Sequence, residues 1–581
     1  MLNPSLRQLI SYLRPYRNRM FAGIAALFVV NMLGVYVPLL VRDSIEQLEG
    51  TLSFGRILGY VLVIALLASL VWVIRMGSRL VIFGVARQVE FDLKQRLFQH
   101  ILRLEPAYFF NNTIGDLMSR TTSDVDNIRR LVGFALLSLA NTIFAYSLTL
   151  PFMFSLNVRL SLLVLLIYPL MLGVVQLFSG RLRDEQRNVQ DALSDLSQTI
   201  QEDMSGIALI KIYAQELNER FGFQGKNRRL LQANLHLARS RNLLFPLIEG
   251  LVSLSLLILL LVGSNAIERG AISIADFIAL ILYVERLVFP TALLGFAITT
   301  FQRGEVSIER VESILIAEPL VQDAGDAIAL PPELVVGKIT ARNLCYTHPG
   351  TDTPALDGID FEIAPGETIA IVGPIGAGKS TLVNALPRLL DIAPGQLFLD
   401  DRDVTQIRLR DLREAIAYVP QDSFLFSATV NNNIRYGQPL AEPDEVEQVA
   451  KQAQIHPEII NFPRQYETLV GERGITLSGG QRQRTSLARA LLVSAPVIVL
   501  DDALSSVDNQ TATEILNSFT SAQEQTVIFI SHQLAAAATA DRIFVMDKGK
   551  IVQIGTHEQL SQRPGLYQFL WEQQQLEKVL Q

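Results

Sequence analysis

Three short stretches of this chain carry residue types suited to handling phosphate. The first, Gly373-Pro374-Ile375-Gly376-Ala377-Gly378-Lys379-Ser380-Thr381, follows an apolar run, TIAIV. Glycines at that spacing let the backbone curl so that successive N–H groups face an anion. Lys379 can then reach the β- and γ-phosphates of a nucleotide, and the Ser380 hydroxyl can meet Mg2+. The second, LSGGQ from Leu477 to Gln481, opens a stretch with helical character (QRQRTSLARALL). Ser478, Gly479 and Gly480 at a helix N-terminus present backbone N–H groups to a negative charge. The third, PVIVLDD, is an apolar run ending in Asp501 and Asp502. That is the pattern of a buried parallel strand, and ligands of open α/β sheets sit at its carboxyl end. A polar turn, ALSSVD, follows and ends at Asp508. The implied chemistry is phosphoryl transfer, which depends on positioning and charge neutralisation.

Strands must hold these stretches side by side. TIAIV, PVIVLDD and TVIFIS (which precedes His532) are short, apolar and separated by helical patterns, so a compact α/β domain is expected from about residue 338 to the end. Ahead of it, residues 316–337 have the prolines and small residues of a linker. The first 315 residues have another character. The whole chain is 49% hydrophobic and only 18% charged, with a mean hydropathy of +0.30, above ordinary soluble composition. Six apolar segments, at roughly 20–41, 58–84, 131–156, 159–179, 243–263 and 272–300, are each near or above the ~20 residues needed to cross a bilayer. The connections at 85–130 and 180–242 are long and basic, and the N-terminus carries four arginines and no acid before the first apolar run. That bias places both termini and both long connections in the cytoplasm. The N-terminal stretch reads as a short amphipathic helix at the inner membrane face.

Charges inside the spans are expensive and tend to be functional. Arg75 and Arg79 lie one turn apart on one face of the second span, and Glu285 and Arg286 sit midway along the sixth. They can line a shared polar cavity, Glu285 above all; alternatively, Arg79 snorkels to the interface. A net charge of −7 argues against a nucleic-acid partner. The single cysteine, Cys345, rules out an intrachain disulfide and any multi-cysteine zinc site.

LSGGQ about a hundred residues after GPIGAGKST, followed by a strand with two acids, resembles the ATP-binding-cassette (ABC) ATPases. With six spans ahead, the chain resembles an ABC exporter half-transporter. The resemblance implies an α-helical six-span transmembrane domain (1–315) followed, after the linker, by an α/β P-loop NTPase domain with an inserted helical subdomain (338–581). ATP and Mg2+ are the implied cofactors. The lipid bilayer and a hydrophobic or amphipathic substrate are the implied partners, and the cytoplasmic membrane the implied location. Carried over residue by residue, Tyr346 matches the aromatic that stacks on adenine. Gln421 matches the glutamine linking Mg2+ and the attacking water to the transmembrane contact. Asp501 matches the carboxylate that holds Mg2+ through water, and His532 the switch histidine at the γ-phosphate. Ser505 to Asp508 resembles the loop bridging two ATP sites. Turns near Asn111–Gly115 and Ala214–Glu216 resemble coupling helices. TLVGERG, from Thr468 to Gly474, resembles the element that touches them, with Leu469 where an acid is common.

In that family two cassettes pair head to tail, each ATP lying between one chain's phosphate loop and the other's LSGGQ, so a second half-transporter is required. Most active members carry Asp-Glu where this chain has Asp501-Asp502. Asp502 is one methylene shorter than glutamate, so a slow or inactive site is expected at this chain's own phosphate loop. The intact Ser478-Gly479-Gly480-Gln481 would complete the partner's site. A heterodimer is therefore favoured over a homodimer that tolerates aspartate. An ATP-gated channel or a regulatory membrane cassette is the alternative function.

Overall fold

The computed structural model describes residues 4–48, 54–471, 474–507, 509–522 and 525–580. The chain divides into two compact units, Met1–Leu102 with Ile114–Ala317, and Arg103–Thr113 with Glu318–Gln581.

Among the described residues the first unit holds six helices long and apolar enough to span a membrane: α1 (Pro4–Gln47), α2 (Gly55–Ile101), α3 (Ile114–Leu156), α4 (Val158–Ser205), α5 (Glu216–Glu268) and α6 (Ile274–Leu315). They run 42 to 53 residues, about twice the length of a bilayer crossing, so each carries an apolar span and a polar extension. Exposed Leu62, Leu66 and Trp72 on α2 are natural for a lipid-facing surface. Prolines at 38, 151, 246 and 290 lie inside helices, as membrane helices tolerate. A 3-10 turn at Arg14–Tyr16 sets off the first turns of α1. There Ser5, Leu9 and Tyr12 are buried, Ser5 donating to Glu309 and Tyr12 to Glu312. The amphipathic N-terminal segment thus gives its buried face to α6, a protein surface.

The expected turns are present. A short helix at Pro106–Asn111 lies in the segment that clusters with the second unit, where Glu105 accepts a hydrogen bond from the backbone of Leu320 at 3.1 Å. The other, Ile207–Ile212, is closed by Ala214 at φ +52°.

The second unit is built on β1 (Ile339–Tyr346), β2 (Leu356–Ile363), β3 (Thr368–Val372), β4 (Leu397–Leu399), β5 (Arg402–Asp403), β6 (Ile416–Val419), β7 (Val497–Asp501), β8 (Thr526–Ile530), β9 (Arg542–Asp547) and β10 (Lys550–Gly555). β2-β1-β4-β5 form an antiparallel sheet; the larger sheet runs β10-β9-β3-β8-β7-β6, parallel from β9 through β6. Every residue of β3, β7 and β8 is buried, which is why these segments read as unbroken apolar runs. Separate apolar clusters pack on the two faces. Between β6 and β7 lies the helical insertion, ending in α8 (Gly479–Leu492); α7 (Lys379–Ala385) follows β3, and α9 (Leu566–Leu580) closes the chain. The stretch read as a linker is laid against this unit: Ile328 exchanges backbone hydrogen bonds with Gln406 and Arg408.

Candidate functional site

Register brings the three motifs together. In the central sheet Ile371 pairs with Ile530, and Ile530 with Asp501. The loop after β3, the acids ending β7 and the turn after β8 therefore emerge at one edge, the carboxyl edge where a parallel sheet binds ligands.

The loop after β3 needs its glycines. Gly373 has φ +150°, Gly376 +82° and Gly378 +94°. A Cβ on Gly373 would strike the Met546 carbonyl, and one on Gly378 the Ala355 carbonyl. Gly378 is the left-handed N-cap of α7, so the loop delivers its amides at a helix N-terminus. Lys379 is only 6% exposed, and its Nζ donates to the carbonyls of Gly373 (2.8 Å) and Pro374 (2.9 Å). Burial lowers its pKa, opposed by Asp502 and Asp501. The Ser380 hydroxyl donates to Asp501 Oδ1 at 2.8 Å.

Asp501 and Asp502 are 4% and 8% exposed. Burial raises the pKa of both. For Asp501 the hydrogen bonds from Ser380 and Tyr418 and the charge of Lys379 oppose the shift. For Asp502, His532 opposes it while Asp501 reinforces it. Asp502 has φ +50°, a left-handed conformation that aspartate enters more readily than most residues. Its Oδ2 lies 3.7 Å from His532 Nε2. Gln421, Lys379, Ser380, Thr381, Asp501, Asp502 and His532 line one cleft of about 470 Å³ with Ile375, Gly376, Ala377 and Gly378. Tyr346 is not among the lining residues; its ring lies 5.0 Å from that of His348, edge to face, and His348 does line the cleft.

The other phosphate device faces elsewhere. Ser478 is the N-cap of α8 in a reciprocal capping box with Gln481, and Gln481 Nε2 donates to Glu458 at 2.7 Å. None of Ser478, Gly479, Gly480 or Gln481 lines the cleft. Gly479 and Gly480 pack instead on Ser506. Asp508 lies outside the described residues. So do Glu472 and Arg473 of the TLVGERG element, in which Leu469 is 63% exposed.

Several residues of the site carry no motif of their own. His348, two residues beyond Tyr346 and thus on the same side of the extended chain, lines the cleft with its Nε2 3.3 Å from the Thr381 hydroxyl. Tyr418 donates to Asn384 (2.7 Å) and to Asp501 Oδ2 (3.2 Å). Gln483, 6% exposed, bonds the Ser505 hydroxyl and the Ser506 amide, tying α8 to the turn after Asp502. Gln574 of α9 accepts from the Leu534 amide (2.9 Å) and donates to the His532 carbonyl (2.5 Å). Removing two such bonds, each worth about 1 kcal/mol, loosens the turn that aims His532. Gln574→Leu is expected to lower the kcat of the purified chain, measured without a different partner, roughly tenfold with KM little changed; an unaltered kcat would mean the turn holds itself.

A Gly-rich strand-to-helix loop, a buried lysine, and a strand-terminal acid that accepts a hydrogen bond from the serine after that lysine, joined in one chain to six membrane-length helices, define a membrane-embedded nucleoside triphosphatase. The family model for the ABC transporter transmembrane region matches residues 20–291, and that for the ABC transporter matches residues 356–505. The chain is 32% identical over 576 residues to the multidrug resistance-like ATP-binding protein MdlA of Escherichia coli, spanning 99% of this chain and 97% of that protein. It is 30% identical to the ATP-dependent lipid A-core flippase of Syntrophus aciditrophicus, over 97% and 93% of the two chains. The structure of a bacterial Atm1-family ABC exporter with ATP bound superposes with a TM-score of 0.77, 25% identity, and coverage of 96% and 99%. The chain belongs to the ABC transporters. It is an integral membrane protein with the exporter fold, six spans followed by an ATP-binding ATPase domain.

Proposed function

We propose that the chain is one half of an ATP-driven exporter of hydrophobic or amphipathic substrates, seated in the cytoplasmic membrane with its ATPase domain in the cytoplasm. The observation that carries this is the separation within one chain of two phosphate devices. The cleft holds Lys379, Ser380, Asp501 and Asp502, while Ser478–Gln481 lie outside it. Each device needs a complement, which a second half-transporter supplies.

The donor set fits MgATP. The glycine curl leaves no room for a Cβ at Gly373 or Gly378, and Lys379 and Ser380 are held beside paired carboxylates. In this assignment the loop from Gly373 to Thr381 binds the phosphates, Tyr346 stacks on adenine, and Ser380, Gln421 and Asp501 hold Mg2+. Bound there, Mg2+ would neutralise charge on the phosphate oxygens. Asp502 orients the attacking water and takes its proton, with His532 facing the γ-phosphate. Base–aromatic stacking is worth about 1–3 kcal/mol; Tyr346→Ala is therefore expected to raise the KM for ATP of the purified chain, measured without a different partner, about tenfold with kcat kept, and an unchanged KM would remove Tyr346 from the site.

Asp502 stands where a longer carboxylate would reach further, so this chain's own site turns over slowly and the productive partner is a different half-transporter. Support comes from the position of Asp502 on the cleft wall, 3.7 Å from His532. Vesicles reconstituted with the purified dimer test the function: ATP-dependent accumulation of an amphipathic dye is expected. ATP-dependent ion conductance without accumulation would favour the channel.

A further inference from the structure

A second cavity, of about 360 Å³, lies within the first unit among α1, α2, α3 and α6. It gathers Arg75, Arg79, Glu285 and Arg286 on one wall system with Asn31 and Ser138. Counting 1.5 Å per residue, Arg286 stands about 18 Å from the Ile274 end of α6 and Arg75 about 30 Å from the Gly55 end of α2. The cavity therefore runs from mid-membrane toward the side of the long basic arms.

Its charges are not satisfied internally. Among the described residues no carboxylate lies within ion-pair distance of Arg75, Arg79 or Arg286, and Glu285 has neither ion pair nor hydrogen bond. Arg286 is anchored by one bond, Nη2 to the Asn31 carbonyl at 2.8 Å, while its Nε is buried without a partner. The Ser138 hydroxyl, on a residue 3% exposed, also lacks one. Three guanidinium groups against one carboxylate leave a local excess of two positive charges. Guanidinium forks match oxyanions geometrically, and unpaired charge at membrane depth points to a ligand.

We propose that this cavity receives the anionic, phosphate-type headgroup of an amphiphile, whose apolar tail lies along the exposed face of α2. Arg75 and Arg79 supply the charge, the fixed Arg286 sets headgroup orientation, and Glu285 discriminates against bulkier or more highly charged anions. The assignment names the substrate class for the export reading and rests on it for transport, but binding itself requires no ATP.

The test is ligand binding by the full-length protein in neutral detergent without nucleotide. Trp72, one turn from Arg75, is the reporter; the only other tryptophan, Trp571, is replaced in a Trp571→Phe background. Dodecylphosphate is expected to bind at least tenfold more tightly than dodecyltrimethylammonium or dodecylmaltoside. Arg75→Gln/Arg79→Gln should abolish that preference, and Glu285→Gln should strengthen it two- to threefold. Equal binding of the three probes, or preference for the cation, would overturn the proposal. So would displacement by inorganic phosphate at matching concentration, which would assign the cavity to a soluble anion. A second basic cavity, with Arg183, Arg241 and Arg303, is the internal control: preference lost with Arg303→Gln and kept in the Arg75/Arg79 double variant would also overturn it. Failure of export with the headgroup preference intact would refute the transport reading alone.

Discussion

Asp502→Glu is expected to raise the ATPase rate of the purified chain by about 10². The reason is reach. The side chain leaves the end of β7 at a left-handed backbone position, φ +50°, with its carboxylate 3.7 Å from His532. Only 8% exposed, the side chain has little freedom to swing outward. One added methylene advances the carboxylate by roughly a bond length, ~1.5 Å. Displacements near 1 Å cost about 10² in rate, and positioned proton transfer is worth about 10²–10⁴. On the proposed assignment, the raised pKa of Asp502 does not offset a base that stands too far back. The substitution places glutamate where aspartate is the easier left-handed residue, a cost of about 1 kcal/mol that falls on stability rather than rate. Steady-state phosphate release, with nucleotide affinity measured in parallel, checks it.

The second large effect concerns the other phosphate device. Gly480→Val is expected to cut ATP turnover of the working dimer by at least about 10², because a Cβ there meets the Ser506 carbonyl at 2.8 Å. The N-terminus of α8 would be pushed off the turn that Gln483 holds, and its amides would no longer point at the partner's phosphates. Preorganised backbone donors of this kind are worth about 10²–10³ each. Asp502→Asn in the same dimer should change turnover less than about twofold, since its site contributes little. Equal losses for the two variants would mean that both sites hydrolyse, as in a homodimer that tolerates aspartate. Nucleotide binding at the phosphate loop should survive Gly480→Val, which separates a lost composite site from a misfolded domain.

What the sequence discloses here follows from range. The spans are legible because a bilayer demands a fixed apolar length, and Lys379, Ser380, Asp501 and His532 because each sits in a local motif whose backbone geometry dictates its neighbours. His348 was reachable from its two-residue offset to Tyr346. Tyr418, Asn384, Gln483 and Gln574 were not: each acts through a partner far along the chain, 83 residues in the case of Tyr418 and Asp501, and no local pattern encodes that meeting. Arg75, Arg79, Glu285 and Arg286 are legible as charges out of place that can share a cavity, with the interface open as well for Arg79. The part that Asn31 and Ser138 play in that one space required the packing of four helices. The segment 103–113 belonged by sequence to the arms of the spans, yet it clusters with the ATPase unit, since a short helix at the end of a long one is free to be claimed by another core.

The most direct measurement is the identity of the nucleotide that the purified chain retains after incubation with MgATP and rapid removal of free nucleotide. A site that binds well through Lys379 and Ser380 but hydrolyses poorly through Asp502 should retain mostly ATP, shifting to ADP in Asp502→Glu. Retention of mostly ADP by the unaltered chain, with brisk turnover that Asp502→Glu leaves unchanged, would contradict it.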